Sequence, residues 1–463
     1  MTTMFEERFE VANGRVTRTA AAGTFSFSSS IEDRSDLGKT APAWSRWWKS
    51  YLRGAVPEPS APLTNKLRAV DLFCGCGGLS LGVREAVRAL GQDLTVKVAV
   101  DLDRDGLLVY AHNLRPEQTI ADDVSLLTSF LVRGTGREAA FAYAPEVVDS
   151  RLKSAVGKTD LVIAGPPCQG HSNVNNHTRR DDPRNLLLLE AIATAIALGT
   201  NAIIIENVPD VINDSNGVVD TATGLLEHSG FSVQSGVLLA HGLGLPQTRK
   251  RFFMLASKSG VLPVARIQAA FANRSGNTVR WAIGDLLHRE DDMDAVVDSS
   301  PETKARIDWL FANKAYDLPD HLRPECHKNG HTYNAVYGRL RWDEPAPTIT
   351  TGFLSMGQGR YVHPVRRRTL MPREAARLQG FPDNYEFRRD ADERPRRKSL
   401  AKWIGDAVPP LLGYAAAFGV LVPLLTDANQ AEEELPTPAP RVSTKAMRRK
   451  SSSKSAGSQS PRG

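Results

Sequence analysis

Cysteine is scarce in this 463-residue chain, with only Cys74, Cys76, Cys168 and Cys326. So few thiols argue against a disulfide framework, and a working thiolate would fit a reducing compartment such as the cytoplasm. Long apolar runs are missing too. Leu411 to Leu425 is apolar but short and bracketed by Pro409, Pro410 and Pro423, so it reads as a packed helix rather than a membrane span. Met1 to Arg15 has no apolar core, and no secretory signal is expected there. Carboxylates are absent from Arg441 onward, where seven cations stand. Those cations exceed the whole chain's net charge of +6, so the remainder is close to neutral. Any nucleic-acid affinity of the core must therefore come from charge gathered on one face, to which the tail can add salt-sensitive phosphate binding.

The most informative segment is Gly165-Pro166-Pro167-Cys168-Gln169-Gly170-His171-Ser172, directly after the apolar run Leu161-Val162-Ile163-Ala164. Two prolines fix φ and stiffen the turn, so the sulfur is held in one direction, as an attacking thiol would be. A buried structural thiol is the alternative for an isolated cysteine. The company that Cys168 keeps decides between them.

A short apolar strand runs through Ala69-Val70-Asp71-Leu72 into the turn Phe73-Cys74-Gly75-Cys76-Gly77-Gly78 and then an amphipathic helix. Glycines admit a ligand close to the backbone, and the helix N-terminus offers N–H groups. Ser80 occupies the place of the third glycine of the dinucleotide fingerprint. The next strand ends in Asp101 at the spacing of a ribose-binding carboxylate, and a third acidic turn follows at Asp122-Asp123-Val124. Helix capping is the plain alternative for any one of these aspartates. Downstream, Ala202-Ile203-Ile204-Ile205 ends in Glu206-Asn207-Val208, and Gln247-Thr248-Arg249-Lys250-Arg251 opens another strand. In a parallel sheet, Glu206 would lie beside Cys168 at the C-terminal strand ends.

These blocks, with Asp182-Pro183-Arg184-Asn185, Arg373-Glu374-Ala375-Ala376-Arg377-Leu378-Gln379-Gly380-Phe381-Pro382-Asp383 and Gly405-Asp406-Ala407-Val408-Pro409-Pro410, occur in order across residues 67–425. In that order they resemble the bacterial-type DNA (cytosine-5)-methyltransferases of restriction-modification systems. The resemblance implies an α/β, Rossmann-like S-adenosylmethionine-dependent methyltransferase fold: a mostly parallel doubly wound sheet, a smaller target-recognition domain and disordered termini. It implies Cys168 as the nucleophile that adds to cytosine carbon 6. Glu206 would meet ring N3, and Arg249 and Arg251 would bind the ring oxygen and order the site. Around S-adenosyl-L-methionine it implies Phe73, Gly75, Gly77 and Pro167, with Asp101 on the ribose and Asp123 and Val124 at the adenine. Asp406 stands where the family usually has asparagine; a carboxylate can accept but, when ionised, cannot donate.

A stacked base is out of a thiol's reach, so the cytosine must be flipped out of double-stranded DNA. The variable segment 256–362 would read the flanking bases; nothing in it spells out a target. His321, Cys326, His327 and His331 cluster there without a Cys-x-x-Cys clasp, and no metal is expected. The remaining divisions are an N-terminal extension 1–65, largely disordered from its Ser, Ala, Gly and Thr content at 17–40, and a catalytic and cofactor domain 66–255. A C-terminal part follows at 363–426, its last helix, about 403–425, returning to the catalytic domain, and then a disordered tail at 427–463. In the extension, the aromatic and basic segment 44–51 reads either as a helix docked on the core, the favoured reading, or as a strand that grips DNA. A monomer is expected, with a cognate restriction endonuclease as a possible functional partner. Two alternatives stay open: a tRNA cytosine-5 methyltransferase of the same fold, and a catalytically silent DNA-binding regulator.

Overall fold

A computed structural model describes residues 5–63, 65–167, 186–274, 276–289, 293, 299–325, 336–390, 392 and 395–433. It opens with three antiparallel strands, β1 (Phe5–Ala12), β2 (Arg15–Ala22) and β3 (Phe25–Glu32). A helix α1 (Ala43–Leu52) and a short edge strand β4 (Glu58–Pro59) complete this module. The disorder expected at 17–40 is therefore corrected. Composition misleads here because a one-sided sheet needs apolar or small residues only at alternate positions. Val16, Arg18, Ala20 and Ala22 point inward, and the residues between them are less buried. Asn13-Gly14, with φ of 50° and 71°, makes the two-residue turn between β1 and β2. The docked helix at 44–51 is present, with Trp47, Trp48 and Tyr51 buried in the main core.

The central sheet combines β5 (Lys66–Leu72), β6 (Asp93–Val100), β7 (Gln118–Ile120), β12 (Leu161–Ala164), β13 (Ala202–Asn207), β14 (Ser232–Leu239) and β15 (Lys250–Ser257). Four two-residue strands intervene as two small ribbons: β8 (Thr128–Ser129), β9 (Val132–Arg133), β10 (Ala140–Phe141) and β11 (Glu146–Val147). The order is β14-β15-β13-β12-β5-β6-β7, with β15 antiparallel to both neighbours and the run from β13 to β7 parallel. Both faces are covered, which is why these strands read as continuous apolar runs. Ala69, Ile163 and Ile204 face helices α2 (Gly78–Ala89) and α11 (Pro410–Glu433). Val70, Val162 and Ile203 face α4 (Leu187–Leu198) and α5 (Val218–His228). Helix α3 (Arg104–Leu114) follows β6, and α6 (Val264–Ala270) packs with α11, so the catalytic layer continues to Phe271.

Beyond it, α7 (Val279–Ile283), α9 (Pro372–Gln379) and α10 (Arg397–Asp406) share a second core with Leu340, Phe353 and Trp403. Helix α8 (Pro301–Ala312) anchors a small cluster around Leu310. The single last helix expected at about 403–425 is two helices, broken at Ala407-Val408-Pro409. Consecutive prolines withdraw two N–H donors and disfavour helical backbone before them, whereas Pro410 suits a first helical position. Residues 397–425 taken together are long and apolar enough to span a membrane, yet their most apolar window is 78% buried inside the protein.

Helices α2 and α11 touch through glycine. A Cβ on Gly82 would stand 1.9 Å from Pro410 O, and one on Gly413 would stand 2.6 Å from Leu79 O. Gly82→Ala should therefore destabilise the protein by about 1–3 kcal/mol through overpacking. Gly284→Ala, whose Cβ would find its nearest neighbour at 3.6 Å, should not. Thermal melting of the two variants checks this pair.

Candidate functional site

The C-terminal strand ends surround a cleft of about 330 Å³. Its floor is the turn after β5, where Phe73 takes φ of +57°, uncommon for a residue with a side chain, and Gly77 caps α2 at φ +92°. Asp101, at the end of β6, ties this turn down: Oδ2 accepts from Gly75 N at 2.7 Å and Oδ1 from Asp103 N at 2.7 Å. Burial raises its carboxyl above the usual range. Asp71 lies deeper against Ser80, and burial pushes it up to about 7. Cys74 and Cys76 also line the cleft. Burial pushes Cys76 up to about 12 and Cys74 well above its normal range, so both stay thiols.

Opposite stands Glu206, the fifth residue of β13. Glu206 is buried, and its Oε1 forms an ion pair at 2.7 Å with Nε of the half-buried Arg251. Burial raises the Glu206 carboxyl, with Arg251 and Arg249 pulling the other way. Gly165, Pro166 and Pro167 complete that side. Cys168 itself, with Asp182 to Asn185, Cys326, His327 and His331, lies outside the described residues.

The structure thus gathers Phe73, Gly75, Asp101, Pro167, Glu206, Arg251 and Asp406 around one cleft. It does not bring Gly77, Asp123, Val124 or Arg249 to that wall. Asp123 caps a short turn, accepting from Ser125 N at 3.0 Å and Ser125 Oγ at 2.9 Å, while Val124 is buried in the core. Gln247 and Arg249 are structural ties. Gln247 donates to Leu378 O at 3.0 Å and accepts from Ile349 N at 3.2 Å. Arg249 donates to Ile349 O at 2.7 Å and to Gly405 O at 3.4 Å. Only the third residue of that alternating set, Arg251, lines the cleft.

Three residues escaped the sequence reading. Leu102, 73% exposed, offers an apolar surface at the cleft between Asp101 and Asp103. An apolar residue flanked by two acids at a strand end was the available signal. Lys402 reaches across to Asp103 Oδ2 at 2.7 Å and lies 3.5 Å from Asp406 Oδ2, one helical turn along α10. Glu190, on the first turn of α4, is raised to about 7 by burial and by Asp123; no sequence signal marks it. Apart from Lys402 and Arg251 the cleft's charged residues are carboxylates, Asp71, Asp101, Asp103, Glu206 and Asp406. Such a lining favours a cationic ligand.

The C-5 cytosine-specific DNA methylase family matches residues 67–418. The chain is 42% identical over 372 residues to the type II methyltransferase M1.BsuMI of Bacillus subtilis (strain 168), covering 80% of this chain and 84% of that protein. It is 31% identical to the type II methylase M.HgiDII of Herpetosiphon aurantiacus, over 75% of this chain and 93% of the relative. Among solved structures, the Dnmt2 methyltransferase of S. pombe shares the fold, with a TM-score of 0.50 at 17% identity, covering 79% of this chain and 99% of that one. The chain belongs to the C-5 cytosine-specific DNA methylase family. It is a DNA (cytosine-5-)-methyltransferase of Rossmann-like fold that uses S-adenosyl-L-methionine, and DNA is its substrate. The cleft suits that cofactor: its acidic lining matches a sulfonium and an ammonium, and each Asp101 oxygen keeps a lone pair for a hydroxyl.

Asp101→Ala should weaken cofactor binding about ten- to a hundredfold, the equivalent of about 1.5–3 kcal/mol for a hydrogen bond to a charged group. Titration calorimetry with S-adenosylmethionine reads this directly.

Proposed function

We propose that the chain methylates carbon 5 of a cytosine flipped out of double-stranded DNA within a short specific sequence, through a covalent adduct of Cys168. The observation that carries this reading is the buried Glu206 paired with Arg251, in the same cleft as Pro167 and the cofactor-side carboxylates. Bound there, S-adenosylmethionine supplies the methyl group. The Cys168 thiolate adds to ring carbon 6, and the pushed electron density gathers toward N3, where Glu206 donates a hydrogen bond or its proton. Arg251 neutralises charge at the ring oxygen and holds Glu206 in place. Carbon 5 takes the methyl group, loses its proton to a base, and the Cys168 sulfur leaves with the electron pair of its bond.

Phe73, Gly75, Pro167, Asp101 and Asp406 are the proposed cofactor contacts, with Lys402 bridging the acids at the mouth. Asp123 and Val124 remain proposed adenine contacts, reached only if the bound cofactor extends beyond the present cleft wall. The segment 256–362 would supply base contacts and the basic tail sequence-independent phosphate contacts. The relatives named as type II methylases support a role as a DNA-modifying enzyme of that type; a cytoplasmic location and a cognate restriction endonuclease are part of the proposal.

Expression in a host without cytosine methylation, with 5-methylcytosine mapped at base resolution, tests the reading. Wild-type protein should modify one short motif. Cys168→Ala should abolish transfer and keep DNA binding; full activity in that variant would refute the covalent route. Unmodified DNA beside modified tRNA would redirect the assignment to RNA. Glu206→Gln should slow turnover by about a hundredfold or more. Because burial raises the Glu206 carboxyl, its proton persists to higher pH, so wild-type kcat should fall as pH climbs through that raised value. The variant's profile should lack this alkaline limb.

A further inference from the structure

Helix α1 lies before residue 67, where the family match begins, yet it touches both passages between the catalytic layer and the target-reading segment. One face is packed on the catalytic layer. Trp48 meets Tyr414 of α11 edge-on at 5.1 Å, and Arg18, whose guanidinium lies 4.6 Å from the Trp47 ring centre, donates to Tyr414 Oη at 3.0 Å.

The other face holds the outgoing chain. Trp281 Nε1 donates to Ser45 Oγ at 2.9 Å, and Ser45 Oγ donates to Asn277 Oδ1 at 3.1 Å. Lys49, its side chain only 2% exposed, donates to Trp281 O at 2.6 Å and to Asp285 Oδ1 at 2.7 Å. The returning chain meets the same carboxylate. Arg377 of α9 lies 3.3 Å from Asp285 Oδ2, donates to Ala282 O at 3.1 Å and holds Asp383 at 2.6 Å. Asp383 N in turn donates to Leu52 O, at the end of α1, at 2.8 Å. Asp285, on the outgoing connection itself, is thus a shared acceptor for the N-terminal helix, through Lys49 and Arg53, and for the return, through Arg377.

A buried cation needs full pairing and directed hydrogen bonds, so it tolerates few alternative geometries; a slipped connection would strand Lys49 without its partners. We propose that α1 is the joint that orients the target-reading segment over the catalytic cleft, with Lys49 as its positioning residue. This rests on the reading given under Proposed function. Lys49 touches neither DNA nor cofactor in this role; it sets where the base-reading segment stands when the cytosine enters the cleft.

The test is Lys49→Met in the full-length chain, which leaves Asp285 paired with Arg377 and Arg53. Steady-state methylation is measured on a duplex with the mapped motif and on one with a single changed flanking base, alongside cofactor affinity and melting temperature. The expected result is a roughly tenfold higher KM for the cognate duplex and a lower cognate-to-variant ratio, with cofactor affinity within about twofold of wild type. A lowered melting temperature with unchanged KM and unchanged sequence preference would overturn the proposal, leaving α1 a stabilising brace only. Should Lys49→Met not fold, Ser45→Ala is judged by the same two criteria. Wild-type protein that methylates no DNA would instead refute the underlying reading, so the two failures are distinct.

Discussion

Everything around the cleft depends on how closely the end of the chain approaches the glycine turn near its beginning. A Cβ on Gly78 would stand 2.3 Å from Val408 O, and the Gly82 position lies against Pro410 in the same way. Because α2 presents bare backbone there, the break between α10 and α11 can lie on top of it, and residues some 330 positions away in sequence become cleft wall. Lys402 and Asp406 face Asp101 and Asp103 for this reason. Without the glycines the last helix would be pushed outward and the cofactor site would lose one side.

The same approach explains why charge can be buried so freely. Tyr414 of α11 receives Arg18 from β2 and donates to Glu7 of β1, while Arg274 pairs with Glu7 at 2.8 Å. Arg274 and Glu7 form an ion pair, Arg18 hydrogen-bonds Tyr414 and Ser29, and both guanidinium groups lie over aromatic rings, which makes their burial tolerable. The N-terminal strands are thereby part of the catalytic core, in one apolar cluster with Leu79, Val83 and Phe418. Cofactor floor, last helix and N-terminal module form one continuous packing unit.

Much of this was legible beforehand. The β5 turn, the acidic strand end at Asp101, the placement of Glu206 in one cleft with Pro166 and Pro167, and the strand that Arg251 opens each carry a local signature: a glycine pattern, an apolar run with a charged end, a proline pair. The docked aromatic helix was legible from its Trp and Tyr content. The N-terminal strands were not, because Ala, Ser and Thr at 17–40 look like linker composition; only Asn13-Gly14 advertised a hairpin, and it lay just upstream. Arg249 looked equivalent to Arg251. Alternation puts Gln247, Arg249 and Arg251 on one side of the chain, but it does not say which of them finds a backbone carbonyl and which finds Glu206.

The amino-acid order alone determined the chemistry available here: which thiol sits in a stiff turn, which carboxylates end strands, and that the blocks follow the sequence order of a cytosine methyltransferase. Local stereochemistry suffices for that, since prolines, glycines and apolar runs act within a few residues. Tertiary structure decided the rest. It made Glu206 a buried partner of Arg251, kept Cys74 and Cys76 as thiols, brought Lys402 across the cleft and turned Asp123 toward its own backbone. Each of those outcomes depends on desolvation and on contacts between distant segments, which exist only once the sheet, α2 and α11 have closed on one another.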